Sequence, residues 1–336
     1  MRIAIIGAGV SGLYAAHLLH AQHDIEIFEA GRYPGGHTNT VDAEVDGKII
    51  PVDTGFIVYN EPNYPLFTNL LQELGVATQN GEMSFSMSCQ LSGLEYNGSN
   101  LNTLFAQRSN LVKPGFYKML MEIMRFNKLA DELINSSEDL KLGDFLGNHG
   151  FSGPAVDDYL VPMAAAIWSS DPAHILDYPA AWFGQFFRNH GLLSVNDRPQ
   201  WQTILNGSRN YVEKIIVPFK QRLHLSTPVK QVSRHNDGVD ILTDAGTERF
   251  DEVIFACHSN QALTMLAEPT DNERDILGAI PYQANDTVLH TDSSLMPQRR
   301  LAWASWNYHR FASEEREVCM TYNMSLLQQL DSPKPL

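Results

Sequence analysis

The chain is poor in cysteine: Cys89, Cys257 and Cys319 are scattered through 336 residues and form no C-x-x-C pair. That excludes a disulfide framework and a thiolate metal site, and no other metal-ligand spacing is present. Free thiols suit a reducing compartment, so a cytoplasmic protein is expected. Basic residues are scarce as well, with 24 Lys and Arg against 39 Asp and Glu and a net charge of −15 with His neutral. Phosphate repulsion then disfavours a nucleic acid as partner. No apolar run reaches the roughly 18 residues that would cross a bilayer, and the apolar N-terminus is too short for a signal peptide. Tandem repeats are also missing. What remains is ordinary globular material, 43% apolar and 19% charged, enough for two domains or for one with a large insertion.

The N-terminal stretch carries the strongest pattern. Ile3, Ile5 and Ile6 make a short apolar run of the kind found in a fully buried parallel strand. Gly7, Gly9 and Gly12 follow as G-x-G-x-x-G, and Leu13, Ala15, Ala16, Leu18 and Leu19 continue as a helix. In that context the glycines serve a tight turn, close approach of backbone to a pyrophosphate, and close helix–strand packing. The helix N-terminus supplies positive partial charge for the phosphates. Glu29 ends the next apolar segment, 22 positions after Gly7, where an acid would bind a ribose 2′-hydroxyl. An acid there argues against a 2′-phosphate and leaves NAD and FAD equally open.

Further along, Thr40 to Val45 and Lys48 to Val52 flank Asp46-Gly47, a strong hairpin signal. Tyr64 to Leu74 reads as a helix ended by Gly75, and residues 76–110 as short strands and turns. Gly115 to Ile134 is predicted as one amphipathic helix, with Lys118, Glu122, Arg125 and Glu132 outward and Met119, Leu120, Ile123, Met124 and Leu133 in a core. Leu142 to His149 and Asp157 to Trp168 are further helix candidates, Pro162 kinking or beginning the second. The stretch from Trp168 to Trp201 is dense in aromatics, which fill a core or wall an apolar pocket. From Gly207 the pattern returns to β/α: a helix over Tyr211 to Phe219, a short strand at Leu223 to Leu225, and a meander of Val229 to His235, Val239 to Thr243 and Thr247 to Phe250. Asp251 to Ala256 then reads as a strand entering the buried sheet. Short helices follow at Gln261 to Leu266 and Asn272 to Leu277, and Thr287 to His290 and Arg300 to Trp306 are strand candidates. The predicted class is α/β: a Rossmann-type dinucleotide domain over 1–75 and 207–280, split by a substrate domain of mixed sheet and helices over 76–206 and 281–336. A split nucleotide domain suits a flavoprotein better than a simple NAD dehydrogenase.

Ile3 to Gly12, Glu29 and Gly35-Gly36 together resemble the flavin-containing amine oxidase superfamily, which also holds protoporphyrinogen oxidases and carotenoid or acyl-chain desaturases. Pro51 to Val58, Leu160 to Trp168, Asn189 to Leu192, Arg198 to Trp201 and Leu301 to Tyr308 resemble one bacterial branch of it, labelled NAD/FAD-binding protein or FAD-dependent amine oxidase. The resemblance implies a glutathione-reductase-like domain with FAD extended across it. It places Gly7, Gly9, Val10, Ser11 and Gly12 at the pyrophosphate, and Glu29 and Ala30 at the ribose. Gly35, Gly36, His37 and Thr38 fall near the phosphates and ribitol, Thr54, Gly55 and Phe56 near the isoalloxazine, and Val229 at the adenine.

Two departures stand out. Many amine oxidases of the superfamily hold a lysine, through a water, against the flavin, yet no lysine occurs between Lys230 and Lys334. His290 is the nearest ionisable residue in the corresponding stretch and is the catalytic candidate, by its pKa range. The glycine- and acid-containing strand and helix that close over the flavin phosphate in the superfamily also have no counterpart after Tyr322. The expected function is an FAD-dependent oxidoreductase that takes a hydride from an apolar small-molecule or lipid substrate, with Trp168, Phe187 and Trp303 in its pocket and an apolar rim for peripheral membrane contact. An amine oxidase releasing peroxide, a dinucleotide-binding protein without catalysis and an NAD-dependent dehydrogenase are the rival readings.

Overall fold

The computed structural model describes residues 1–137, 139–168, 171–194, 198–311 and 319–336. Its buried centre is the run Arg2–Ile6, which pairs in parallel with Asp24–Phe28 on one side and Glu252–Phe255 on the other. Leu223–His224 extends the sheet beyond Asp24–Phe28. The apolar run is buried because both faces are covered. The helices Val10–Leu19 and Arg209–Ile215 supply Leu13, Tyr211, Val212 and Ile215 to one face, and Pro65–Glu73 adds Leu70 and Leu71. The other face takes an antiparallel meander of Gln231–His235, Gly238–Thr243 and Gly246–Phe250, with Phe250 edge-on to Phe28 at 5.8 Å.

Thr40–Val45 and Lys48–Asp53 form the expected hairpin, in register from Thr40 opposite Asp53 to Val45 opposite Lys48. Asp46 and Gly47 both take positive φ, 50° and 80°, the backbone that a two-residue turn needs to match strand twist. At the far end of this hairpin Asp53 is 1% exposed. It accepts from the Thr40 hydroxyl at 2.6 Å, the Ser208 N–H and hydroxyl at 2.9 and 2.8 Å, and the Gln328 side-chain amide at 2.8 Å.

A second sheet runs in the order Cys319–Tyr322, Trp306–Arg310, Phe85–Cys89, Leu94–Asn97. Helices pack on it around Phe126, Phe145, Phe183 and Leu160. Three expectations are corrected in this region. The predicted helix over 115–134 is two helices, Pro114–Lys128 and Ala130–Ile134, parted at Leu129, whose ψ of 8° leaves the helical range. Met124 is not a core residue either: it lies on the face of Pro114–Lys128 turned away from Phe116, Met119 and Phe126 and is 51% exposed. Thr287 to His290 is not a strand: Val288 is 77% exposed, and among the described residues no strand pairs with it. Arg300 to Trp306 is a 3-10 turn, Arg300–Ala302, and the strand starts only at Trp306. Before Pro162 the chain widens into a π-turn, Val156–Leu160. Proline cannot donate to the carbonyl four residues back, and that carbonyl, of Asp158, instead receives the buried Tyr96 hydroxyl at 2.8 Å.

Asp53→Ala strands several buried donors and is expected to cost about 2–4 kcal/mol in urea denaturation at neutral pH. Burial holds the Asp53 carboxyl above its ordinary value despite its hydrogen bonds. A raised folded-state value means that Asp53 contributes most below the ordinary carboxylate range. The gap between wild type and Asp53→Ala therefore narrows as pH rises through the raised value.

Candidate functional site

The site starts where the first strand becomes the first helix. A Cβ on Gly12 would lie 1.9 Å from the Gly7 carbonyl oxygen, so only glycine lets the helix sit down on the turn. Gly9 caps that helix with backbone alone, and no acidic residue occupies its first turn. The leading N–H groups and the helix dipole are left for an external anion. Gly35 stands directly over the turn, donating its N–H to Ala8 at 2.8 Å and bridging to Gly9. Glu29 accepts from the Ala8 and Gly31 N–H groups, both at 2.7 Å, one on each carboxylate oxygen. Each oxygen keeps a lone pair for a further donor.

These residues line one cavity of about 1070 Å³, at the large end for a small-molecule site. Of the residues assigned to the cofactor from sequence, Gly7, Gly9, Val10, Ser11, Glu29, Ala30, Gly35, Gly36, His37, Thr38, Phe56 and Val229 all face it. Gly12, Thr54 and Gly55 do not line it. Gly12 lies beneath the turn, Thr54 accepts from the Asn39 side chain at 2.8 Å, and Gly55 packs against the His37 carbonyl.

Sequence reasoning missed much of the remaining wall. Tyr64, Phe67 and Tyr211 line it beside Phe56. Phe67 meets Phe56 and Tyr211 edge-on, at 5.2 and 5.3 Å between ring centroids. The Tyr211 hydroxyl is hydrogen-bonded to the Thr38 hydroxyl at 2.5 Å, and burial pushes its phenol upward. Cys257, His258, Gln261, Thr264 and Met265 come from the segment after Glu252–Phe255. His258 stacks on His37 at 5.9 Å and on Tyr282 at 4.3 Å. One available signal was position: ligands in open parallel sheets gather beyond the carboxyl ends of strands, and Cys257 lies just beyond the strand next to the first.

The other sequence candidates lie elsewhere. His290 accepts from the Asp292 N–H at 3.1 Å and lines a minor crevice with Tyr322 and Leu336. Phe187 is 1% exposed and stacks on Phe183 at 4.1 Å. Trp168 lies against Phe186 at 4.9 Å in the same aromatic core. Trp303 donates its indole N–H to the Pro297 carbonyl at 2.7 Å. None of the four lines the large cavity. Aromatic density from 168 onward serves mostly to fill the helical core.

Comparison with known proteins adds family evidence to this geometry. The sequence model of the flavin containing amine oxidoreductases matches residues 10–291. Zeta-carotene desaturase of Synechocystis sp. is 40% identical over 81 residues, 24% of this chain and 16% of that protein. Mitochondrial protoporphyrinogen oxidase of Nicotiana tabacum is 29% identical over 192 residues, 54% of this chain and 36% of that protein. The chain thus spans well under half of either curated relative. The solved structure of cyclohexylamine oxidase from Brevibacterium oxydans superposes with a TM-score of 0.64 at 18% identity, over 82% of this chain and 62% of that one. That likeness concerns the fold alone.

Burial pushes the Cys257 thiol up, with the Glu29 carboxylate adding to the effect. Alkylation of Cys257, followed by peptide mass mapping, is expected to be slow at pH 7.5, where roughly a few per cent at most is thiolate. The rate should climb steeply above pH 9, and any ligand filling the cavity should suppress it.

Proposed function

The chain belongs to the flavin containing amine oxidoreductase family, and from that premise we propose that it is an FAD-dependent oxidoreductase acting on an apolar substrate. One observation carries the reading: a single cavity joins an uncapped helix N-terminus with its glycine turn, a backbone-anchored acid and an aromatic wall. In this reading the parallel sheet and its meander form a Rossmann-type, glutathione-reductase-like body built from 1–75 and 207–280. The material over 76–206 and 281–336 serves the substrate.

The residues fit such a cofactor. The N–H groups following Gly9 would hold the pyrophosphate, and Glu29 would use its free lone pairs on ribose hydroxyls. Val229 would meet the adenine and Phe56 the ring system. When bound, FAD supplies the hydride acceptor. The chain's own part is to bind, orient and exclude water: Phe56, Tyr64, Phe67 and Tyr211 present ring carbon to the cavity and tie the Tyr211 hydroxyl back to Thr38. An acyl chain or polyene is the substrate class we favour, since the wall is apolar and one relative's name is zeta-carotene desaturase. Such a substrate implies peripheral contact with a membrane, on the cytoplasmic side. Among the described residues no helix is long and apolar enough to cross one.

The glycines separate cofactor from fold. Gly9 has ordinary φ, and a Cβ there meets only the Gly36 α-carbon at 4.0 Å. Gly9→Val should keep the wild-type melting temperature while losing flavin absorbance and the thermal shift on adding FAD. Gly12→Ala, by contrast, should lower the melting temperature itself. Anaerobic bleaching of the bound flavin by an unsaturated phospholipid is the expected sign of the substrate class. Peroxide release with amines, and no bleaching by lipid, would replace the reading with amine oxidation. A protein that neither carries FAD nor shifts with it would overturn the reading.

A further inference from the structure

The helix Pro114–Lys128 has two apolar faces. Phe116, Met119 and Phe126 are buried in the helical core at 5, 2 and 1% exposure. Tyr117, Met121 and Met124, spaced i, i+4 and i+7, share the opposite face and are 41, 59 and 51% exposed. Just before the helix, Leu111 and Val112 project at 49 and 82% exposure. Single exposed apolar residues need no explanation, but a continuous row of them on one helix and its lead-in does.

The charge along this row opposes that of the whole chain. Residues 108–128 carry five of the 24 Lys and Arg but one of the 39 Asp and Glu, in a protein whose net charge is −15. On the helical projection Lys118 and Arg125 flank the apolar row on one side, Lys128 stands at its C-terminal end, and Lys113 adjoins its start. Arg125 lies over the Phe151 ring at 3.9 Å, which fixes its charge at the rim. Lys118 has only a long contact with Glu122, at 3.9 Å.

This pattern selects its partner. A two-fold interface with a second copy would set cations against cations. Apolar side chains edged by Lys and Arg are the pattern of a helix lying in an anionic membrane surface. We propose that Leu111 to Lys128 is a docking surface for an anionic lipid bilayer. Leu111, Val112, Tyr117, Met121 and Met124 enter the acyl boundary while Lys113, Lys118, Arg125 and Lys128 meet the headgroups. The proposal deepens the function read above by naming a membrane surface, and it rests on the exposure and charge of this helix rather than on lipid being the substrate.

Co-sedimentation with phosphatidylcholine vesicles, with and without phosphatidylglycerol, tests it. Wild type is expected to sediment with the anionic vesicles, less so as salt is raised, and far less with neutral ones. Lys118→Gln/Lys128→Gln should weaken binding about twenty-five-fold, from roughly fivefold per cation. Met121→Ser/Met124→Ser should weaken it by about tenfold or more. Lys48→Gln/Lys334→Gln removes two cations elsewhere, partners of Asp331 and Asp46, and should change nothing. The substituted methionines are more than half exposed, so circular dichroism and melting temperature should match wild type.

Failure to sediment, equal binding to neutral vesicles or an equal loss in the Lys48/Lys334 variant would overturn the proposal. So would a dimer in solution that Met121→Ser/Met124→Ser dissociates. Flavin absorbance read in the same samples separates the two ideas. Flavin-bearing protein that stays in the supernatant refutes docking alone, and colourless protein that sediments refutes the cofactor reading alone.

Discussion

A buried carboxylate without a cationic hydrogen-bond partner joins three stretches of chain that lie far apart in sequence. Asp53 takes hydrogen bonds from Thr40, Ser208 and Gln328, and its own N–H returns to the Gln328 side-chain carbonyl at 2.9 Å. All of these donors are neutral, so hydrogen-bonding dipoles do most of the work of replacing water around the charge, with the Arg209 cation acting on it only from a distance. Hydrogen bonds to a carboxylate are strong, but burial still outweighs them and holds the carboxyl above its ordinary value. Such an arrangement works only if the donors arrive together, which ties the hairpin, the segment returning at 208 and the C-terminal turn into one structural decision.

The cavity inherits its shape from that decision. Thr40 opens the hairpin two residues after Thr38, and Ser208 immediately precedes the helix that carries Tyr211. Fixing Thr40 and Ser208 on one carboxylate brings Thr38 and Tyr211 into the bond that closes the cavity wall. On the other side of Thr38, Gly35 rests on Ala8 and so couples the hairpin to the glycine turn. The phosphate end and the aromatic wall are therefore positioned through one short piece of chain, residues 35 to 40.

Much of this could be read in the sequence because it is written locally. The strand, turn and helix from Ile3 to Leu19, the Asp46-Gly47 hairpin and the meander are each specified by periodicity and turn residues within a dozen positions. The apolar run over Asp251 to Ala256 announced a strand of the central sheet, but not that its neighbour would be the first strand. What escaped depends on contacts between distant segments. Phe85–Cys89 and Trp306–Arg310 pair in parallel across more than two hundred residues, and nothing local to either announces the other. The same holds for His258 against His37, and for the choice between core and cavity in the stretch beginning at Trp168. Aromatic content alone does not say which way a ring faces. The outward row of Tyr117, Met121 and Met124 escaped for a related reason: Met124 read as core filling, whereas it lies on the outer face of its helix.

The cavity wall shows why its aromatics come from outside the aromatic-rich stretch. Phe67 sits among Phe56, Tyr59 and Tyr211 with centroids 5.2 to 5.3 Å away and planes near perpendicular to each. Edge-to-face rings of this kind are favourable pairs beyond their burial and hold one another in place. The two tyrosines send their hydroxyls outward from this cluster, Tyr211 to Thr38 and Tyr59 to Gln202 at 2.8 Å. A wall built this way excludes water without stranding a polar atom. A wall drawn from Trp168 to Phe187 would have to be taken out of the helical core, where Phe183 and Phe187 are fully enclosed. The rings that fill the core and those that face the cavity are therefore different sets, and the cavity draws its rings from the segments that Asp53 fixes in place.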